Sequence, residues 1–409
     1  MIQFDASETQ GAKIKVVGVG GAGGNAINGM IEAGLQGVEF VVVNTDAQDL
    51  EKSQASMRIQ IGKNLTKGLG AGSNPEIGLR AIMEDKERVI ETINGADMVF
   101  VTCGLGGGTG TGAAPIVAEI ARDLGALTVA IVTMPFTFEG PFRKRNAEKG
   151  LEALRERVDT IIVIQNDRLF SIIDRNTSVV AAFKAVDSIL LEATRSISDL
   201  INVHGYINLD FADIRTIMQG MGDALMGTGV GVGENRAITA AEQAITSPLL
   251  DGVDIKGARG VLINITGGPT MSMHEVGEAS TVVQERVGNE ANVIFGMVID
   301  ENLNEELRVT VIATGFNKEF EQAEILHQPK EELEEEIIVE EKEEPEMEDA
   351  RESTDFREYD KPTYKRKAQK NKRELLNVSQ PNFFFFGDED IESDPENLEI
   401  PAFLRKQMD

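Results

Sequence analysis

The stretch that decides the fold class is a glycine-rich loop, Gly104-Leu105-Gly106-Gly107-Gly108-Thr109-Gly110-Thr111-Gly112. Six glycines and two threonines occupy its nine positions. An apolar run precedes the loop, and a helical pattern begins near Ala113. So much glycine costs conformational entropy on folding, which a plain flexible turn does not explain. A glycine turn between a strand and a helix lets backbone N–H groups approach phosphate oxygens, so the loop predicts an anion-binding site.

A second glycine loop lies near the N-terminus and reads Gly18-Val19-Gly20-Gly21-Ala22-Gly23-Gly24-Asn25. Its Gly-x-Gly-x-x-Gly spacing is the dinucleotide-binding fingerprint, and Asp46 stands where NAD enzymes place the acid that binds ribose. Alone, this loop supports a nicotinamide-dependent oxidoreductase. Two glycine loops that each lead into a helix give two anion sites, which suit a triphosphate better than a pyrophosphate. The chain has no Gly-x-x-x-x-Gly-Lys-Ser/Thr motif, so it is not a P-loop enzyme.

Short apolar runs alternate with helical patterns through the first half of the chain. This alternation predicts an α/β fold with a Rossmann-like parallel sheet that is covered by helices on both faces. The predicted strands are Ile14–Val19, Val38–Asn44, Ala96–Thr102, Leu127–Thr133 and Thr160–Gln165. The predicted helices are Asn25–Ala33 and Ala113–Leu124.

A segment without glycine or proline, Ser178–Asn202, has apolar residues at helical spacing and predicts one long helix. It is either a spine between two domains or a plain core helix. Further strands are predicted at Gly260–Thr266, Asn292–Ile299 and Leu307–Thr314, so the second half reads as an α+β domain. We therefore expect five segments: a nucleotide-binding domain 1–177, a linking helix 178–203, a second domain 204–316, a linker 317–388 and a tail 389–409.

The linker differs from the rest of the chain in its charge. Residues 331–360 hold 16 acidic and 3 basic side chains, and residues 361–373 hold 7 basic and no acidic ones. Burial of so few aliphatic residues cannot offset the conformational entropy that the segment would lose on ordering. We therefore predict a disordered linker. An isolated Phe383–Phe386 run within it is apolar, as a contact site would be. Leu398–Gln407 is apolar and amphipathic again, which is typical of a docking peptide, although a frayed tail has the same composition.

Composition excludes several classes of function. A net charge of −28 argues against nucleic acid as the main ligand, because a phosphate backbone needs a basic surface. The single cysteine, Cys103, excludes an intrachain disulfide and fits a reducing compartment, and three dispersed histidines argue against zinc or haem. The first ten residues do not resemble a secretory signal, and no apolar run reaches the roughly 18 residues of a membrane span. We expect a cytoplasmic protein without direct membrane insertion.

A third segment with chemical potential is Asn208-Leu209-Asp210-Phe211-Ala212-Asp213. Its two carboxylates could orient and polarise a water for attack on a γ-phosphate, with Mg²⁺ assisting. They could equally cap the helix that follows. Since about 100 residues and the long helix separate this acidic segment from the glycine-rich loop, it can lie out of reach of its own chain's nucleotide.

Taken together, these segments resemble the FtsZ family. Residues 106–112 match the tubulin/FtsZ signature, residues 208–213 match the acidic loop of FtsZ, and Leu398–Gln407 is similar to the tail by which that family binds membrane-tethering division proteins. The resemblance implies a GTPase that polymerises head to tail into protofilaments of the division ring at mid-cell. It also implies that the acidic loop of one subunit completes the nucleotide site of the next.

The resemblance also implies roles for individual residues. Phosphates would be held by Gly21, Ala22, Gly23, Gly24, Asn25, Gly108, Thr109 and Gly110. Glu139 and Arg143 would contact ribose and phosphate, and Asn166 and Asp187 would read the guanine edge. The catalytic residues would be Asp210, Asp213 and Asn208. The cofactors implied are GTP or GDP with Mg²⁺ held mainly by the phosphates, so no metal site is expected in the protein itself.

Two other classes of function stay open on the sequence. The oxidoreductase rests on the fingerprint of the second glycine loop and on Asp46, and it would bind NAD without GTP. A structural filament former with degenerate catalysis would polymerise with GTP without releasing phosphate.

Overall fold

The computed structural model describes six ranges of the chain: 11–171, 176–202, 210–250, 255–288, 291–301 and 303–316. Four of the sequence-based expectations lie outside the described residues. These are the catalytic role of Asn208, the linker 317–388, the Phe383–Phe386 run and the tail 389–409.

The strands of the described ranges form one sheet in the order β3-β2-β1-β4-β5-β6-β7-β10-β8-β9. Their bounds are β1 Ile14–Val19, β2 Val38–Asn44, β3 Met57–Gln60, β4 Met98–Gly104, β5 Leu127–Met134, β6 Thr160–Gln165, β7 Gly222–Val232, β8 Gly260–Gly267, β9 Asn292–Ile299 and β10 Glu306–Thr314. Strands β1 to β6 are all parallel, and β7 pairs in parallel with β6. Strand β10 is antiparallel to both β7 and β8, and β8 is parallel to β9.

Helices connect the strands and cover the sheet. Their bounds are α1 Gly20–Glu32, α2 Ala47–Lys52, α3 Lys63–Thr66, α4 Pro75–Glu84, α5 Lys86–Ile93, α6 Thr109–Asp123, α7 Pro141–Arg155, α8 Val179–Asn202, α9 Phe211–Met218, α10 Arg236–Ile245 and α11 Met273–Val287. Short 3₁₀ turns lie at Thr137–Glu139, Asn166–Ser171, Pro248–Leu250 and Ile255–Gly257.

The parallel half is buried on both faces, as its continuous apolar strands predict. All eight residues of β5 are buried. Alternate strand residues enter two cores: Val129 and Ile131 pack with α1 and α8, whereas Ala130 and Val132 pack with α4 to α7. The order β3-β2-β1-β4-β5-β6 reverses direction between β1 and β4. In such sheets ligands bind at the carboxyl ends of the strands beside that reversal.

Helix α8 is the long helix predicted over Ser178–Asn202. Its 24 residues span about 36 Å. Leu190, Ala193 and Ile197 lie in one buried cluster with residues of the parallel strands and of β8, β9 and β10. The helix therefore shares a hydrophobic core with both halves of the sheet.

The structure differs from the sequence-based prediction at the starts of two helices. Helix α1 begins at Gly20 rather than Asn25, and α6 begins at Thr109 rather than Ala113. Glycine's low helix propensity argued for a later start, but tertiary packing of the turns against the sheet overrides that preference. Strand β7 continues the sheet of the first half through parallel pairs from Thr160–Gly222 to Ile162–Ala224, a connection about which the sequence made no prediction. In the part of the chain that the structure describes, no helix is both long enough and apolar enough to cross a bilayer.

Candidate nucleotide-binding site

A cleft of about 640 Å³ opens at the carboxyl ends of the parallel strands. Its lining includes the last residues of three strands, Val19, Asn44 and Gly104, and Thr133 near the end of β5. This is the edge of the sheet, and the place of reversal between β1 and β4, at which the strand order predicts a ligand.

Two helix N-termini converge on this cleft. Helices α1 and α6 both begin there, and neither has a side-chain cap or an acidic residue in its first turn. Gly20 has φ +74°, and a Cβ added to it would lie 2.9 Å from the backbone nitrogen of Gly110. The unpaired N–H groups of both first turns, together with the helix dipoles, form an anion site that needs no lysine.

The structure separates the predicted phosphate-binding residues into two groups. Six of them line the cleft, namely Gly21, Ala22, Asn25, Gly108, Thr109 and Gly110. Gly23 and Gly24 lie outside the lining, on the face of α1 that packs against the sheet. A Cβ on Gly23 would approach the carbonyl oxygen of Thr102 to 2.6 Å, and one on Gly24 would contact Val42 at 3.6 Å. These two glycines let α1 pack closely on the sheet, because the helix starts five residues earlier than the sequence predicted.

The two threonines of the glycine-rich loop also differ. Thr109 lines the cleft, and its hydroxyl lies 2.7 Å from the hydroxyl of Thr45, which follows β2. The buried hydroxyl of Thr111 accepts a hydrogen bond from the Gly106 N–H at 2.9 Å. Thr109 can therefore reach a ligand, while Thr111 fixes the shape of the loop.

The far end of the cleft has the chemistry of a base-binding site. Asn166 is 5% exposed, and its Oδ1 has no hydrogen-bond partner among the described residues. Burial raises the pKa of the Asp187 carboxyl to about 6, and Phe183 stands one helical turn away on α8. A buried acceptor without a partner is costly, so Asn166 and Asp187 fit a planar ring that presents two N–H donors, as guanine does.

Glu139 and Arg143 line the cleft as an ion pair. Arg143 Nη1 donates to Glu139 Oε2 at 2.5 Å, and the other oxygen of Glu139 accepts from the Phe136 N–H at 2.9 Å. The carboxylate is anchored by the backbone, whereas the side chain of Arg143 is 48% exposed and keeps further guanidinium donors for a ligand.

One wall of the cleft was not predicted from the sequence. Residues 69–73 line it, and Leu69, which is 80% exposed, forms an isolated bridge with Asp46. Gly70, Gly72 and Ser73 all have positive φ. A third glycine cluster at positions 68, 70 and 72 was the available signal. Asp46 caps α2, accepting from the Gln48 N–H at 2.9 Å, so it serves the fold as well as the cleft.

The acidic segment lies elsewhere. Asp210 is the N-cap of α9, and its Oδ1 accepts from the Asp213 N–H at 2.9 Å; both residues are exposed and outside the cleft lining. Arg215 of α9 donates to the carbonyl of Gly125, just before β5, at 3.1 Å. Helix α9 therefore packs at the amino ends of the parallel strands. Because β5 has eight residues, about 25 Å separates that edge from the cleft.

A larger cleft of about 780 Å³ lies between α8 and strands β8 to β10. Carboxylates outnumber guanidinium groups there by four to two, and a Glu192–Arg308 ion pair at 3.0 Å crosses it. An excess of negative charge without a converging pair of helix N-termini does not suit a triphosphate. The smaller cleft therefore suits a triphosphate better than this one does.

Comparisons with known proteins identify the family. The family model for the Tubulin/FtsZ family, GTPase domain, matches residues 13–174, and the model for the FtsZ family, C-terminal domain, matches residues 222–317. An empty FtsZ dimer from M. jannaschii is 47% identical with a TM-score of 0.73, and the match covers 75% of this chain and 89% of that one. A mutant FtsZ from the same organism is 48% identical with a TM-score of 0.72, covering 75% and 91%.

A more distant structure shares the fold. CetZ2 from Haloferax volcanii, solved as a GTPγS-bound protofilament, is 23% identical with a TM-score of 0.64 and covers 76% of this chain and 96% of that one. The two family models and the identity to FtsZ over three quarters of the sequence exclude the interpretation of the chain as a nicotinamide-dependent oxidoreductase. A glycine-lined cleft lies at the strand reversal, and both the family models and the FtsZ structures match this chain. The chain therefore belongs to the FtsZ family of tubulin-like proteins and is a GTPase.

Proposed function

We propose that this GTPase assembles head to tail into protofilaments, and that the acidic segment of each subunit completes the GTP site of its neighbour. The observation that carries the proposal is the position of α9 at the opposite edge of the sheet from the cleft. A chain built in this way cannot bring Asp210 and Asp213 to its own nucleotide. A contact that joins unlike surfaces of identical subunits and does not close into a ring produces a filament.

Relatives support the assembly step. The M. jannaschii FtsZ that is 47% identical was solved as a dimer. For this chain we propose a contact between copies that repeats from one subunit to the next. Independently of that relative, Asp210 and Asp213 lie outside the cleft lining and at the other edge of the sheet, so they can act on a phosphate in the cleft only when they come from a second copy.

Each part of the composite site has a distinct task. The N-termini of α1 and α6 hold the phosphates, Glu139 and Arg143 contact ribose and phosphate, and Asn166 and Asp187 recognise guanine. Asp210 and Asp213 of the neighbour orient and polarise the attacking water, and Asp210 also caps α9. Asn208 would act beside them. Mg²⁺, bound mainly through the phosphates, would neutralise charge that develops during phosphoryl transfer.

At the cellular level we place these protofilaments in the cytoplasm, in the division ring at mid-cell. The amphipathic tail Leu398–Gln407 would bind membrane-tethering division proteins. Deleting residues 398–409 should leave GTP turnover in solution unchanged and abolish ring localisation of a fluorescent fusion. A shortened chain that still forms rings would contradict the role of the tail.

The proposed assembly has a direct kinetic test. GTP turnover per subunit should be negligible below a threshold protein concentration and rise steeply above it, because the catalytic carboxylates arrive only on assembly. Sedimentation should detect polymer from the same threshold. An Asp213→Asn chain should form GTP-dependent polymer with little phosphate release. Turnover per subunit that stays constant from the lowest concentration upward would refute a shared site.

A further inference from the structure

A buried pair of hydroxyl groups connects the glycine-rich loop to the end of β2. Thr45 Oγ1 and Thr109 Oγ1 lie 2.7 Å apart, Thr45 is fully buried, and Thr109 is 8% exposed and lines the cleft. Residues 45 and 109 are 64 positions apart, so the fold and not local geometry brings the two groups together. Thr45 itself does not line the cleft.

The number of protons in this pair determines its direction. Each hydroxyl has one proton to donate and can also accept. If Thr109 donated to Thr45, the Thr45 proton would need another acceptor, and the described residues offer none to its hydroxyl. If Thr45 donates to Thr109, the Thr45 proton is satisfied and the Thr109 proton is free to point into the cleft. A buried unsatisfied donor is costly, so the second arrangement is favoured.

The backbone of Thr45 is held from the other side. Its carbonyl oxygen lies 3.3 Å from the Thr66 hydroxyl, whose one proton is shared between this carbonyl and that of Gly62 at 3.1 Å, and the same hydroxyl accepts from the Gly68 N–H at 3.3 Å. Gly68 begins the turn whose next residues, 69–73, line one wall of the cleft. Thr45 therefore has little freedom to move away from Thr109.

We propose that Thr45 is a positioning residue that commits the Thr109 hydroxyl to donating a hydrogen bond into the cleft, towards the phosphate chain of GTP. The inference rests on the proposed placement of the phosphates at the N-termini of α1 and α6. An anion can only accept hydrogen bonds, and a hydroxyl that already accepts one is a stronger donor. Thr45 thus acts through Thr109 without touching the nucleotide.

The test is a double-mutant cycle on GTP affinity, measured with the full chain below the assembly threshold. Thr45→Val keeps the side-chain shape and removes the hydroxyl, and we expect GTP to bind about three- to tenfold more weakly. Thr45→Ser should bind GTP within about twofold of the parent chain, because it keeps the donor. In a Thr109→Val background, Thr45→Val should cause no further loss. Thr102→Val is the matched control, since Thr102 is a buried threonine outside the cleft lining whose hydroxyl has no partner among the described residues.

Three results would overturn the inference. One is wild-type affinity in Thr45→Val, another is equal weakening by Thr45→Val and Thr45→Ser, and the third is a Thr45→Val effect that persists unchanged beside Thr109→Val. Because binding is measured on the unassembled chain, these results would leave head-to-tail assembly untouched. A missing concentration threshold for turnover would in turn leave this measurement valid.

Discussion

At the scale of one residue, the proposed role of Asp187 predicts that burial couples GTP binding to pH. Its pKa is raised to about 6 by burial, and a carboxylate is required to accept from guanine's two N–H groups. GTP affinity should therefore be constant above about pH 7 and fall by up to tenfold per pH unit below about pH 6. Asp187→Asn should bind GTP weakly with no such dependence between pH 5 and 8. Equilibrium titrations with GTP across that range provide the measurement.

Stability should respond to the same group with the opposite sign. The folded pKa of Asp187 lies above the value of 3.8 for an exposed aspartate, so protonation favours the folded chain without nucleotide. Its contribution to the free energy of unfolding is fully present below about pH 4 and is lost as the pH rises through about 6.

Asp199 supplies a control for both measurements. Burial also raises its pKa to about 6, opposed by the nearby charge of Arg195, but Asp199 lies in the other cleft. Asp199→Asn should therefore alter the pH dependence of stability and keep that of GTP binding. If Asp187→Asn retained the pH dependence of the parent chain, Asp187 would not be the group that reads the base.

Single residues also show where sequence reasoning about the site stopped. Asn166, Asp187, Glu139 and Arg143 came from family resemblance, and the fold brings all four to one cleft. Gly23 looked the same as its neighbours in sequence, yet it lies on the face of α1 that packs against the sheet and not in the cleft lining. The pattern of a glycine loop does not state which glycine faces the ligand and which faces the sheet, because that depends on the residue at which the helix begins.

At the scale of elements, buried strands were the most predictable parts. Strands β1, β2, β6 and β9 have the predicted bounds, because continuous Val/Ile runs between turns admit few alternatives. The four-residue strand β3 and the short helices α2 and α3 were not predicted, since such lengths hold too little periodicity to detect. The joining of both halves into one sheet depends on the short pairing of β6 with β7, which no local pattern encodes.

Helix α1 contains a matched pair of glycines that separates packing from propensity. A Cβ on Gly23 would lie 2.6 Å from a backbone oxygen of β4, whereas one on Gly29 would meet nothing within 4 Å. We expect Gly23→Ala to lower the free energy of unfolding by about 1–3 kcal/mol or more through overpacking. Gly29→Ala should raise it by about 0.5–1 kcal/mol, because alanine is the better helix former. Urea denaturation of both variants measures the difference, and equal changes would contradict this account of why Gly23 is glycine.

At the scale of the whole molecule, the two ends of the parallel strands carry different functional parts. The cleft occupies the carboxyl edge of the parallel sheet, and α9 with Asp210 and Asp213 packs at the amino edge. Sequence distance alone hinted at this separation, but only the direction of the strands shows that the two parts lie at opposite ends. Stacking subunits along the strand direction would place the acidic segment of one over the cleft of the next, with every subunit oriented alike.

Such stacking predicts complementation between two variants that are each inactive. Asp187→Asn has a damaged cleft with an intact acidic segment, and Asp213→Asn has the reverse; both changes conserve side-chain shape. At a GTP concentration that fills only the intact clefts, neither variant alone should release phosphate, because no junction joins an intact cleft to an intact acidic segment. In an equimolar mixture about a quarter of randomly formed junctions would join the two, so turnover should approach about a quarter of the parent rate.

The control for complementation is a mixture in which both variants carry the same defect. Asp210→Asn keeps a residue that caps helices well, so α9 should retain its start while the segment loses a carboxylate. Mixing Asp210→Asn with Asp213→Asn leaves every acidic segment incomplete and should give only the sum of the separate rates. The same additive result for Asp187→Asn with Asp213→Asn, at every ratio of the two, would mean that each chain hydrolyses GTP with its own residues. Turnover that rises when Asp187→Asn is mixed with Asp213→Asn, but not when Asp210→Asn is mixed with Asp213→Asn, requires that the cleft and the carboxylates belong to different copies.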